Sequence, residues 1–197
     1  MKSSHLYLQS KDPILSTVIE KISLPRRAAK KNRFEALVSE IISQQLSIKA
    51  ADAIERKFVA LFHPHNFPKA REVLLCSDEK LRGAGLSFSK ISYIKNVARA
   101  VEEGTLDFKK LVKLSDEEVI TQLTAIKGIG RWTAEMFLMF TLERPDIFSH
   151  GDLGLRKAIQ RLYQLENHPS REQAELIASH WRPHRTLACR YLWASLK

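Results

Sequence analysis

Apolar residues recur at intervals of three and four along most of this chain, and that spacing restricts it to packed helices. Phe34, Leu37, Val38, Ile41 and Ile42 share one helical face; Ile54, Phe58, Leu61 and Phe62 repeat the pattern, as do Ile91, Ile94, Val97, Ala98 and Val101. Ser115 with Glu118, and Ser170 with Gln173, have the spacing of capping boxes, which satisfy orphan N–H groups at a helix start. Asp12-Pro13 reads as an N-cap followed by proline at the first helical position. No alternating stretch bounded by turns marks a strand, and no repeat or low-complexity tract interrupts the pattern. The spacing predicts an all-α fold of about ten short helices joined by brief loops. His63-Pro64-His65-Asn66-Phe67-Pro68, Arg82-Gly83-Ala84-Gly85-Leu86 and Arg144-Pro145-Asp146 are the expected connections.

With 44% hydrophobic residues among 197, the chain can bury a core without covalent staples. Its two cysteines, Cys76 and Cys189, are too few for a disulfide framework or a four-cysteine metal or iron–sulfur site, and they suit a reducing compartment. The first residues lack an apolar run of signal-peptide length, and no stretch reaches the roughly 20 apolar residues of a membrane span. Charge narrows the class of partner. Lys and Arg outnumber Asp and Glu by 32 to 22, a net +10, which favours a polyanion through steering and counterion release. Arg26, Arg27, Lys30, Lys31 and Arg33 form one basic group, and Arg182, His184, Arg185 and Arg190 another. Charge alone leaves the partner open, since many basic proteins bind no nucleic acid.

The strongest local signal is Leu123-Thr124-Ala125-Ile126-Lys127-Gly128-Ile129-Gly130-Arg131-Trp132-Thr133-Ala134. One helix should end near Ile126 and another begin near Gly130. Gly128 and Gly130 permit a tight reversal and close approach of a phosphate to the backbone. Exposed N–H groups at the second helix start can donate to that phosphate, with Lys127 and Arg131 beside them. Ile129 should point inward and join the two helices. An ordinary glycine-containing helix–helix turn is the plainer alternative.

This segment, followed by Phe148-Ser149-His150-Gly151-Asp152-Leu153, resembles the helix-hairpin-helix DNA glycosylase superfamily, and within it the 3-methyladenine DNA glycosylase II branch. The resemblance runs from about Phe34 to Trp193. It takes in Ser43-Gln44-Gln45-Leu46-Ser47 and Trp181-Arg182-Pro183-His184-Arg185, and departs at Lys127, where the family typically has proline. It implies a compact two-lobed helical fold with the active site in the cleft between lobes. One lobe would span residues 34–141, and the other residues 1–33 with 142–197. The expectation is a minimal catalytic module without the separate N-terminal β-rich domain that some members carry.

The resemblance places the catalytic aspartate at Asp152. Its position before the helical segment from Leu153 to Leu165 also suits an N-cap, and the two roles are compatible. Cleaving an N-glycosidic bond builds positive charge on the sugar, which a fixed carboxylate stabilises. An N-alkylated purine is already cationic and leaves readily, so one carboxylate suffices. Where related bifunctional glycosylases carry a Schiff-base lysine, this chain has Trp132, which implies base removal without strand cleavage. Trp132 and Trp193 match family positions near the base pocket, and an aromatic face attracts a cationic base by about 0.5–2 kcal/mol. Met136, one turn beyond Trp132, belongs either to that wall or to the core. Leu46 falls where the family inserts a wedge into the base stack, with Gln45 beside it facing the opposite base or capping the loop.

No cofactor is implied, although family hairpins can hold Na+ or K+ on main-chain oxygens, here those of Thr124, Ile126 and Ile129. His63 and His65 are expected to be exposed loop residues rather than ligands, and His150 is given no catalytic role. The expected partner is double-stranded DNA containing alkylated bases, met by a monomer with no membrane attachment. The expected location is the nucleoid in a bacterium or the nucleus in a eukaryote. Two alternatives stay open: a related glycosylase for uracil, hypoxanthine or oxidised purines, and a non-catalytic helix-hairpin-helix module that only binds DNA.

Overall fold

A computed structural model of the protein describes residues 2–25, 32–64 and 66–196, and within them thirteen helices and no strand. In chain order these are α1 (Lys2–Lys11), α2 (Pro13–Lys21), α3 (Arg33–Ser43), α4 (Ile48–Ala60), α5 (Ala70–Leu75), α6 (Asp78–Gly83) and α7 (Phe88–Glu102). They continue with α8 (Phe108–Leu111), α9 (Asp116–Thr124), α10 (Arg131–Phe140), α11 (Leu153–Leu162), α12 (Arg171–Ser179) and α13 (Arg185–Ala194). The number exceeds the expected ten because α5, α6 and α8 have only six, six and four residues, too few to show a period. None of the described helices is long and apolar enough to cross a membrane.

The chain divides into two units, Ala29–Leu142 and the pair Met1–Ala28 with Glu143–Lys197. In the first, α7 packs on α3, α5 and α6, while α3 also meets α4 and α10, and α10 meets α9. The apolar stripes of the sequence are what these helices bury. Phe34, Leu37, Val38, Ile41 and Ile42 of α3 and Ile91, Ile94, Val97 and Ala98 of α7 all lie inside. Each large side chain so removed from water contributes about 1.5–3 kcal/mol. The stripe of α4 is interrupted: Phe58 is buried, but the helix stops at Ala60 and Leu61 is left exposed. Phe62 then packs edge-on against Phe58 at 5.3 Å.

In the second unit α1 packs on α2, α2 on α13, and α13 on α11. Asp12 caps α2 as its sequence position suggests, accepting from Leu15 N at 2.9 Å. The same buried carboxylate also accepts from Trp181 Nε1 at 2.7 Å and from the Tyr163 hydroxyl, so it ties the first helices to residues far along the chain. Burial, reinforced by the bond to Asp12, pushes the Tyr163 hydroxyl far above its ordinary value. Both expected capping boxes are present, at Ser115 with Glu118 and at Ser170 with Gln173.

The basic groups fare differently. Arg26, Arg27, Lys30 and Lys31 lie outside the described residues, as does His65. Arg182 and Arg185 are committed to Asp146, at 2.9 and 2.8 Å, and Arg190 donates to the Pro25 carbonyl at 3.0 Å. The C-terminal group is therefore largely internal bracing.

Candidate functional site

The hairpin joins α9 to α10. Ile126 N donates to Leu123 O, and Ile129 N closes the turn on Ile126 O at 3.0 Å. Ile129 is buried between the helices, as its apolar character requires. The two glycines do different work. Gly128 has φ +108, and a Cβ there would fall 2.5 Å from Tyr93 Cβ and closer still to the tyrosine ring. Tyr93, on α7, fills the space that the missing side chain leaves. Gly130 has φ −86, which any residue adopts, and a Cβ there would meet nothing within 4 Å. It is the N-cap of α10 and provides no side-chain cap, so it supplies no acceptor to the first N–H groups of that helix.

Lys127 is exposed, and its carbonyl accepts from Asn96 Nδ2 at 3.0 Å. Arg131 is paired within the hairpin unit. Its guanidinium grips Glu117 at 2.6 and 3.2 Å and Glu135 at 2.9 Å, bracing α9 against α10. The Glu117 hydrogen bonds, with attraction from both carboxylates, raise its proton affinity further. Thr124 ends α9, where carbonyls leave the helix ladder and carry partial negative charge. Ile126 O already takes one hydrogen bond and retains a lone pair, so main-chain oxygens at 124, 126 and 129 fit a monovalent cation chemically.

A second element of the same unit is the loop between α3 and α4. Gln44 is the C-cap of α3, Gln45 is held at φ 57, and Leu46 is 39% exposed, after which Ser47 caps α4 on Ala50 N. Lys90, which the sequence did not single out, and Gln44, to which it gave no role, hold this loop. Lys90 Nζ donates to the carbonyls of Ile42 and Gln44 at 2.7 and 2.9 Å. The Gln44 amide reaches the hairpin itself, at 3.1 Å from Thr133 Oγ1 and 3.4 Å from Gly128 O. Trp132, in the first turn of α10, is 38% exposed, whereas Met136 one turn later is buried.

In the other unit, Asp152 is the N-cap of α11. Its Oδ1 accepts from Leu155 N at 2.7 Å and from Trp193 Nε1 at 2.9 Å, and the residue is 9% exposed. The indole edge of Trp193 thus aims at the carboxylate. Gly154 makes this possible: a Cβ there would sit 3.0 Å from Asp152 Oδ1 and 3.2 Å from Trp193 Nε1. The strap leading to Asp152 is fixed by the helix that carries Trp193. Arg185 of α13 binds Asp146, and Thr186 donates to Arg144 O at 2.6 Å and accepts from Ile147 N at 3.1 Å. An anionic oxygen at a helix N-terminus, with two N–H donors converging on it, is built to keep a negative charge in one place. No cluster of side chains with metal-binding composition occurs among the described residues.

Comparison with known proteins follows the same residues. The family model for HhH-GPD superfamily base excision DNA repair proteins matches residues 38–183, a span that contains the Gln44 loop, the hairpin and Asp152. The chain is 38% identical over 173 residues to DNA-3-methyladenine glycosylase 1 of Schizosaccharomyces pombe, covering 87% of this chain and 76% of that protein. A DNA-3-methyladenine glycosidase structure from Bacillus halodurans is similar with a TM-score of 0.83 at 42% identity, over 95% of this chain and 86% of that one. The S. pombe 3-methyladenine DNA glycosylase in complex with abasic DNA superposes with a TM-score of 0.91 at 33% identity, over 98% of this chain and 96% of its own.

Proposed function

The chain belongs to the HhH-GPD superfamily of base excision DNA repair proteins, and from that premise we propose that it is a DNA glycosylase removing alkylated purines, 3-methyladenine among them. The reaction hydrolyses the N-glycosidic bond. The electron pair of the C1′–N bond leaves with the cationic base, which becomes neutral, and positive charge develops on the sugar. Water adds at C1′ and releases its proton, leaving an abasic site. The observation that carries this reading is Asp152, a buried carboxylate whose Oδ1 is fixed by Leu155 N and Trp193 Nε1. A charge already in place where positive charge develops needs no reorganisation during the reaction.

The remaining residues take supporting roles. The N–H groups at the start of α10, reached past Gly128 and Gly130, bind a phosphate, and Lys127 adds its charge; Arg131 supports the hairpin through Glu117 and Glu135. A monovalent cation on the oxygens of Thr124, Ile126 and Ile129 would add positive charge beside that phosphate. Leu46 fills the gap left by the extruded nucleotide, with Gln45 meeting the facing base. Trp193 and Trp132 are assigned to the base, whose cationic ring suits an aromatic face, while buried Met136 suits the core alternative. Trp132 stands where a bifunctional enzyme would carry its lysine, so no Schiff base forms and the strand stays intact. The subtype is that of 3-methyladenine DNA glycosylase II. One chain carries every residue the reaction uses, so a monomer suffices, acting wherever the DNA lies, in a nucleoid or a nucleus.

The reading is tested on defined duplexes containing 3-methyladenine, uracil, hypoxanthine or 8-oxoguanine. Release of the alkylated purine well ahead of the others is expected. Preferred release of uracil or 8-oxoguanine would move the enzyme to another substrate class, and a borohydride-trapped adduct would overturn the monofunctional assignment.

A further inference from the structure

We propose that Lys90 and Gln44 are positioning residues that hold the Gln45-Leu46 wedge in fixed relation to the phosphate-binding hairpin, making the two DNA contacts one rigid device. The inference rests on the assignment of Leu46 as the wedge. Helix α3 ends one residue before Gln44, and its last carbonyls need donors from outside the helix. A helix commonly solves this with a glycine and a turn of its own backbone. Here an ammonium from α7 does so, with Lys90 Nζ bridging Ile42 O and Gln44 O. The positive charge also complements the negative end of α3.

The next residue shows what this bracing permits. Gln45 is a non-glycine at φ 57, a conformation that costs about 1–3 kcal/mol and persists only where its surroundings impose it. Its flanks are held on both sides. Lys90 fixes the Gln44 carbonyl, the Gln44 amide bonds Thr133 Oγ1 and Gly128 O, and Ser47, just after Leu46, is the N-cap of α4. The result is a leucine 39% exposed at the tip of a loop anchored on both sides. A loose leucine would fold back onto apolar neighbours; a wedge must stay extended until it meets the base stack. Lys90 spends its charge inside the protein, and burial lowers its proton affinity accordingly. It is therefore not one of the phosphate-binding cations that the net charge suggests.

The test compares wild type, Leu46→Ala, Lys90→Met, Lys90→Arg, Gln44→Ala and the Leu46→Ala/Lys90→Met double variant. Two substrates are used: a duplex with one N-alkylated purine fully paired, and the same duplex with that purine opposite an abasic site, where extrusion costs less. A 2-aminopurine beside the purine reports unstacking by fluorescence. Lys90→Met should lower the unstacking signal and paired-substrate kcat/KM by roughly 10-fold, the scale of a lost charged hydrogen bond, and Gln44→Ala by roughly 5-fold, the scale of a neutral one. The loss should shrink to under about 3-fold on the pre-opened substrate, Lys90→Arg should retain activity, and the double variant should be no worse than Leu46→Ala. Equal losses on both substrates, or no loss in folded Lys90→Met while Leu46→Ala is impaired, would overturn the inference and leave the wedge intact. Normal extrusion by Leu46→Ala would overturn the wedge assignment and the inference together. Should Lys90→Met fail to fold, Gln44→Ala carries the same comparison.

Discussion

The two hairpin glycines should respond oppositely to the same substitution. At Gly128, alanine must adopt φ +108 and bring its Cβ within 2.5 Å of Tyr93 Cβ. The unfavourable backbone costs about 1–2 kcal/mol, and forcing a carbon into filled space costs about 1–3 kcal/mol. A total of about 2–5 kcal/mol lowers the melting temperature by roughly 5–15 °C for a chain of this size. Adding Tyr93→Ala should return part of that loss. At Gly130 nothing lies within 4 Å and the backbone is ordinary, so alanine costs only a poorer N-cap, about 0.5–1 kcal/mol. Its Cβ instead obstructs the approach to α10. Losing one N–H to phosphate bond, at about 1.5–3 kcal/mol, weakens DNA binding roughly 10- to 150-fold. Calorimetry and fluorescence anisotropy on undamaged duplexes of several sequences separate the effects, and the Gly130→Ala loss should be the same for every sequence. A folded Gly130→Ala variant with wild-type affinity would refute phosphate binding there, and an unchanged melting temperature for Gly128→Ala would refute the Tyr93 contact.

Other substitutions test single contacts. Lys127→Ala should weaken binding uniformly and reduce the slope of log K against log salt by about 0.9, seen in a salt titration. Arg131→Ala should leave that slope unchanged and lower thermal stability by about 1 kcal/mol, because it removes the ion pairs to Glu117 and Glu135 that join α9 to α10. Trp193→Phe keeps an aromatic face but loses the N–H to Asp152, so kcat should fall roughly 10-fold with little change in KM. Ser115 donates to Glu118 through its hydroxyl and N–H, which holds that carboxyl below its ordinary value of 4.5. Folded below unfolded means the contribution is complete above the unfolded value and disappears as pH falls through the folded one. Ser115→Ala should therefore flatten the acid limb of a melting-temperature profile near pH 4.

What the sequence shows of this protein is what neighbours in sequence decide. The stripe from Phe34 to Ile42, the caps at Asp12, Ser115, Asp152 and Ser170, and the inward Ile129 all follow from spacings of a few residues. The missed features depend on partners brought together by folding. Tyr93 behind Gly128, Lys90 beneath Gln44 and Gly154 under the Trp193 indole have no local period to reveal them. Arg131 illustrates the converse: its charge is legible, but its pairing with Glu117 and Glu135 decides what that charge does. A non-glycine at φ 57 is likewise invisible until the contacts that force Gln45 there are known.

The central claim is that Asp152 acts through its charge and not only as a cap. Asparagine caps a helix about as well as aspartate, so Asp152→Asn keeps the bond to Leu155 N and removes the anion. Base release from alkylated duplex DNA, measured in single turnover beside melting temperature and DNA affinity, should fall by at least roughly 10²-fold with both controls unchanged. Wild-type release by a folded, DNA-binding Asp152→Asn enzyme would contradict the claim.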